Sequence, residues 1–97
     1  MPSVAIVGAG LAGLSCAAGL LEAGVDPSEV VVLEALDVVG GRTRTASLGG
    51  EPVDVGACWV CPRQTRVHRL LREHGLDVIP QQTSGVRVGV RSAGGLL

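Results

Sequence analysis

The chain has 97 residues and a net charge of −1, a length that suits one small domain or part of a larger one. Its eight arginines stand without any lysine against nine acidic residues, which leaves no electrostatic case for nucleic acid or an anionic membrane surface. Apolar residues make up 46% and argue against disorder, but Trp59 is the one aromatic, so a core has to come from Val, Leu, Ile and Ala.

The opening run Ser3-Val4-Ala5-Ile6-Val7-Gly8 reads as a buried strand that ends on a glycine. Gly8, Gly10 and Gly13 then spell G-x-G-x-x-G, with Ala9, Leu11 and Ala12 between them. Gly8 lets the chain turn out of the strand. Gly10 lacks a Cβ, so a pyrophosphate can approach the backbone, and Gly13 lets the following helix lie close to the sheet. None of Ala9, Gly10 or Leu11 has a side chain that caps a helix, so the first N–H groups are expected to be free for an anion.

A helix is expected over residues 11–23, with Leu14, Ala17, Ala18 and Leu21 as its packed stripe and Gly24 as its stop. Cys16 on this helix is expected to be a small buried hydrophobe. Asp26-Pro27-Ser28 is turn chemistry. A second strand, Val30-Val31-Val32-Leu33-Glu34, ends in a carboxylate 21 positions after Gly13. Strand, glycine turn, helix and acid-ended strand form the fingerprint of a dinucleotide-binding βαβ unit, with Glu34 placed to accept hydrogen bonds from an adenosine ribose. A carboxylate there would repel a 2′-phosphate, so NADP is disfavoured.

Gly40-Gly41 ends the second strand region and permits another close backbone approach. Residues 43–48 and 51–55 flank Gly49-Gly50 as the arms of a hairpin. Residues 56–61 read as a loop. A second helix is expected over residues 64–74: Val67, Leu70, Leu71 and His74 recur at helical spacing, Arg69 and Glu73 can pair across one turn, and His68 faces solvent. Arg63, Arg66, Arg69 and Arg72 form a basic edge, read as a solvated face. Residues 76–80 and 86–90 read as short strands, and residues 92–97 carry no folding signal.

Cys58 and Cys61 make a C-x-x-C, but a redox pair should open a helix after a strand, and zinc would need two more ligands that His68 and His74 are poorly spaced to supply. They are read as incidental cysteines, with no metal site. Three cysteines build no disulfide framework, and no secretory leader or membrane span is evident. The expected setting is therefore a reducing compartment, cytoplasmic by preference.

Three blocks together carry a family likeness: VAIVGAGLAGLSCAAGLLEAG, VVVLEALDVVGGRTRT and EPVDVGACWVCPRQTRVHRLLREHGLDVIPQ. They resemble the N-terminal FAD-binding region of the flavin-containing amine oxidases, the monoamine and polyamine oxidase group. The resemblance implies an α/β fold with a Rossmann-like FAD/NAD(P)-binding βαβ unit, incomplete relative to the full family fold, and FAD as cofactor. It implies cofactor contacts at Gly8, Gly10, Leu11, Ala12, Gly13, Glu34 and Ala35, at Gly40, Gly41 and Arg42 of the second motif, and at Gly56, Ala57 and Trp59 in the flavin-side segment. Trp59 is equally open to core packing. The family pattern is broken at Leu36, usually Arg, at Val38, often basic, and at Ala57 and Cys61, where glycine is usual.

Residues 1–91 are thus expected to be a partial FAD-binding domain and residues 92–97 an unstructured tail. Family enzymes are several times longer and oxidise small amines with O2, giving imine, then aldehyde, and H2O2. No catalytic acid or base is expected in this chain, which looks like a truncated product or gene-model fragment. Two other readings stay open: a non-catalytic dinucleotide-binding module, and an inactive fragment whose first strand presents an open apolar edge.

Overall fold

A computed structural model describes residues 1–86, 91–92 and 95–96 of the chain. The chain divides into two compact units, Met1–Trp59 and Val60–Leu97.

The first unit opens with strand β1 (Val4–Val7), helix α1 (Leu11–Glu22) and strand β2 (Val30–Leu33). β1 and β2 pair in parallel, with Val4 opposite Val30 and Val7 opposite Leu33. The pairing continues past both ends, from Ser3 N–H to Glu29 O at 3.0 Å and from Gly8 N–H to Leu33 O at 2.7 Å. The uninterrupted apolar run of β2, three of its residues valine, suits this sheet, where α1 lies against both strands.

Helix α1 ends as the sequence indicates. Gly24 takes φ +89°, and its N–H reaches Leu21 O while Val25 N–H reaches Leu20 O, both at 3.0 Å. This six-residue closure needs a left-handed residue after the cap, which glycine adopts without a Cβ penalty. The packed face of α1 differs from the expected stripe. Gly13, Ala17 and Leu20 are the half-buried positions, while Leu14, Ala18 and Leu21 are exposed. Cys16 is exposed as well, not buried. The helix is apolar on nearly every side, so apolar spacing alone does not single out the face that meets the sheet.

A short 3-10 turn, Pro27–Glu29, leads into β2 and is capped by Asp26, whose Oδ1 accepts from Ser28 N–H at 2.8 Å and Ser28 O–H at 2.6 Å. After β2, strands β3 (Thr45–Leu48) and β4 (Glu51–Asp54) form the expected antiparallel hairpin. Gly49 and Gly50 take φ +60° and +92°, the pair of left-handed residues that a tight two-residue connection requires. The ladder runs on beyond the strands, with Val55 N–H to Arg44 O at 2.9 Å and Ala57 N–H to Arg42 O at 3.0 Å.

Gly56 lies between those two bonds. A Cβ there would meet Arg42 O, the acceptor of the Ala57 bond, inside contact distance and stand 2.8 Å from Arg44 N. Gly56→Ala is expected to open this end of the hairpin at a cost of about 1–3 kcal/mol. Chemical denaturation of the substituted chain checks it, and an unchanged midpoint would refute it.

In the second unit, helix α2 (Thr65–Glu73) is built as expected, with Arg69 Nε 2.6 Å from Glu73 Oε1 one turn on. Its closure repeats that of α1: Leu76 N–H reaches Leu71 O at 2.8 Å. Val67, Leu70 and Leu71 are half-buried, but so is His68, whereas His74 is exposed. His68 keeps part of its surface in solvent, with its Nε2 3.1 Å from Cys61 O. Residues 76–80 form no strand. Leu76 N–H is spent on the helix end, and Pro80 has no N–H to offer a ladder. Of the strand expected over residues 86–90, Val86 lies in no element and residues 87–90 fall outside the described residues. Arg91–Ser92 pairs antiparallel with Gly95–Leu96. Ser92 and residues 95–96 belong to the stretch read as tail; residues 93, 94 and 97 fall outside the described residues.

Candidate functional site

The candidate site grows from the turn between β1 and α1. Gly8, at φ +96°, swings the chain out of β1. Gly10 is the N-cap of α1, with extended backbone (φ −80°, ψ −176°), no side-chain cap and no acidic residue in the first turn. The opening of α1 therefore presents backbone N–H groups and the positive end of its dipole. Leu11 and Ala12 begin the helix and are exposed. Gly13 is half-buried, and a Cβ there would overlap Gly8 O and sit 3.3 Å from Ile6 Cγ2.

Ala9, between the first two glycines, is the one buried side chain among the described residues, 2% exposed. Its peptide is tied on both sides. The N–H donates to Glu34 Oε2 at 2.7 Å, and the carbonyl accepts from Gly40 N–H at 2.8 Å. The Ala9 amide, which precedes the helix, is not among the free donors at the start of α1: a carboxylate from the end of β2 takes it. Glu34 Oε1 accepts from Leu36 N–H at 3.0 Å. Sequence reasoning could not find the bond to Ala9, because nothing local links a side chain to a backbone amide 25 residues away.

The two glycine motifs meet directly. Gly10 and Gly40 form a parallel bridge, and a Cβ on Gly41 would stand 3.2 Å from Gly10 Cα. Arg42 is exposed, and its carbonyl joins the second motif to Ala57. Ala35, Gly56 and Ala57 are exposed, as is Trp59 at 69%, so among the described residues Trp59 is not core packing. The structure thus brings Gly8, Gly10, Gly13, Glu34, Gly40 and Gly41 into one backbone cluster and links Arg42 to Gly56 and Ala57 through the hairpin; Trp59 follows two residues later.

A cleft of about 310 Å³ adjoins the second motif, lined by residues 38–40 and 43–45 with Asp54 and Ala57. Thr43, Arg44, Thr45 and Asp54 are absent from the sequence-based site. The cue was the hairpin itself, whose register sets Thr45 opposite Asp54, with Thr45 Oγ1 3.0 Å from Asp54 Oδ1. No group of three or more His, Cys, Asp or Glu suited to a metal ion occurs among the described residues, and Cys58 and Cys61 are free and exposed.

The Leu36 N–H, followed by the Ala9 N–H, holds the Glu34 carboxyl below the usual glutamate range. A lowered folded value means the stabilisation is complete above the unfolded glutamate pKa and is lost as pH falls through the folded one. The Glu34 carboxyl carbon is expected to titrate below that of an unstructured glutamate in an NMR pH series. A midpoint at or above that reference would contradict the two bonds.

An α/β arrangement of this kind recurs among enzymes of solved structure. A putrescine oxidase bound to putrescine superposes with a TM-score of 0.69 at 47% identity, covering 78% of this chain and 16% of that one. A conjugated-linoleic-acid-producing fatty acid isomerase from P. acnes superposes with a TM-score of 0.66 at 29% identity, over 78% and 18% of the two chains. In sequence, residues 11–93 match the model of the flavin-containing amine oxidoreductases, and the chain belongs to that family. The chain is 41% identical over 85 residues to putrescine oxidase of Kocuria rosea, covering 88% of this chain and 17% of that protein. It is 46% identical over 78 residues to the flavin-containing amine oxidase A of Sus scrofa, over 79% and 14%. The chain thus spans less than a fifth of the length of either relative. Among the described residues, no helix is long and apolar enough to cross a membrane.

Proposed function

We propose that the chain binds FAD as the opening part of a Rossmann-like domain, over residues 1–91, of an enzyme that oxidises small amines. The observation that carries this reading is the joined glycine cluster at the bare N-terminus of α1, with Glu34 beside it. The residues present fit the group. Gly10 keeps open the space in which a phosphate would approach, since even a built Cβ there meets nothing nearer than Gly41 Cα at 3.8 Å. The amides at the start of α1 would hold the diphosphate, with Leu11, Ala12 and Gly13 in that first turn. Glu34 has lone pairs left for ribose hydroxyls after accepting its two amides, and Ala35 lies beside it. Gly40, Gly41 and Arg42 would face the diphosphate and flavin region, with Gly56, Ala57 and Trp59 alongside the ring. Bound there, the flavin would accept a hydride equivalent from the carbon next to an amine, the chemistry being the cofactor's and the positioning the protein's. Hydrolysis of the imine and reoxidation by O2 would give aldehyde and H2O2.

The amine oxidases among the relatives support the substrate class. The likeness to a fatty acid isomerase favours a second reading, in which this segment binds the flavin and the rest of an enzyme chooses another reaction. Mixing the purified chain with FAD and recording its visible spectrum after desalting tests the binding. Retained flavin absorbance is expected, and a colourless protein would sink the reading. Peroxide release on adding putrescine to a longer natural chain containing this segment separates amine oxidation from the second reading.

A further inference from the structure

Ala9 is flanked by two glycines, Gly8 at φ +96° and Gly10, so nothing local fixes its peptide. Yet it is the most buried described residue, and both its polar backbone groups are engaged, the N–H by Glu34 and the carbonyl by Gly40. The other carboxylate oxygen of Glu34 holds Leu36 N–H, so one side chain spans the glycine turn and the exit of β2. Hydrogen bonds to an ionised acceptor are among the stronger kind, and a carboxylate offers both of its oxygens to the two amides.

We propose that Glu34 is a positioning residue for the glycine turn: it fixes the Ala9 peptide, and hence the opening of α1, before any nucleotide arrives. This inference rests on the dinucleotide reading above and adds to the ribose contact proposed there. A ligand would then meet a turn already set, with no ordering cost left for Ala9.

Amide hydrogen exchange on the full chain, without nucleotide, reads the clip directly. Ala9 and Leu36 amides should be protected. In Glu34→Ala both should exchange about tenfold faster or more, while Gly8 N–H, bonded to Leu33 O, keeps its protection. Glu34→Gln offers one oxygen and should preserve only one of the two. Unchanged Ala9 exchange in both variants overturns the proposal. So does an unprotected Ala9 amide beside a protected Gly8 in the unsubstituted chain, a result available even where a variant fails to fold.

Affinity for ADP and 2′,3′-dideoxy-ADP supplies the second readout. A Glu34 that touches only ribose hydroxyls would leave dideoxy-ADP binding equal or improved in Glu34→Gln, because a negative charge beside the diphosphate is removed. The positioning role predicts that dideoxy-ADP binding weakens about threefold or more despite that gain. Equal or improved binding of dideoxy-ADP overturns it. If the unsubstituted chain binds neither nucleotide, the dinucleotide reading fails, while the exchange result still decides the role of Glu34.

Discussion

Gly13→Ala is expected to destabilise the first unit although it places a better helix former inside α1. Alanine is the better helix former by about 1 kcal/mol, so propensity alone predicts stabilisation. The added Cβ, however, would overlap the Gly8 carbonyl oxygen and press on Ile6 Cγ2 at 3.3 Å. Neither is a flexible side-chain tip that can swing away. Gly8 is the turn itself, tied to Leu33 through its N–H, and Ile6 belongs to β1. Overpacking of this kind costs about 3 kcal/mol. The net loss is then about 2 kcal/mol, a large share of the stability of a small domain. A urea or thermal melt of the variant should show the loss, and an equal or higher midpoint would mean that α1 lies further from β1 than described.

Gly10→Ala should do the opposite: leave the chain folded and abolish nucleotide binding. Its Cβ would meet only Gly41 Cα, at 3.8 Å, an ordinary contact, and the Gly10 backbone angles are open to any residue. Alanine is a poorer N-cap than glycine, at a cost of about 0.5–1 kcal/mol. The same methyl group projects where a diphosphate would approach the bare amides of α1. Binding of FAD or ADP is expected to fall about 100-fold or more, a loss of roughly 2.7 kcal/mol. Titration calorimetry beside a melting curve separates the two effects. Undiminished affinity in a folded Gly10→Ala chain would remove the phosphate from this turn. Together the two variants assign different work to glycines three residues apart: one makes room for the sheet, the other for a ligand.

Much of the first unit was legible because its signals are local. Strand β1, the glycine turn, α1 and β2 follow from β-branched runs and glycine spacing, and Gly49-Gly50 announces the hairpin. Helix α2 follows from its apolar spacing and its Arg69–Glu73 pair. What was not legible depends on residues far apart in sequence or on a tie between equivalent faces. Since α1 is apolar almost all round, choosing Gly13, Ala17 and Leu20 over Leu14, Ala18 and Leu21 needs the sheet in place. His68 looked solvated because a histidine says nothing of a carbonyl seven residues earlier. In the candidate site, the glycines and Glu34 stood out by spacing, but the tie between Glu34 and Ala9, and the seating of Gly41 against Gly10, join segments that share no short-range pattern.

Where the one buried side chain among the described residues sits also bears on how the first unit holds together. Most small proteins draw their strength from a greasy centre remote from the ligand. Here, among the described residues, the most buried point is Ala9, at the mouth of the proposed binding turn, while Val7 on β1 is left 86% open and Leu33 on β2 52% open. A molecule that settles in that turn would add its own contacts at that point. Saturation and folding would then be two faces of a single equilibrium, each tenfold excess of ligand over its Kd adding about 1.4 kcal/mol to the folded state.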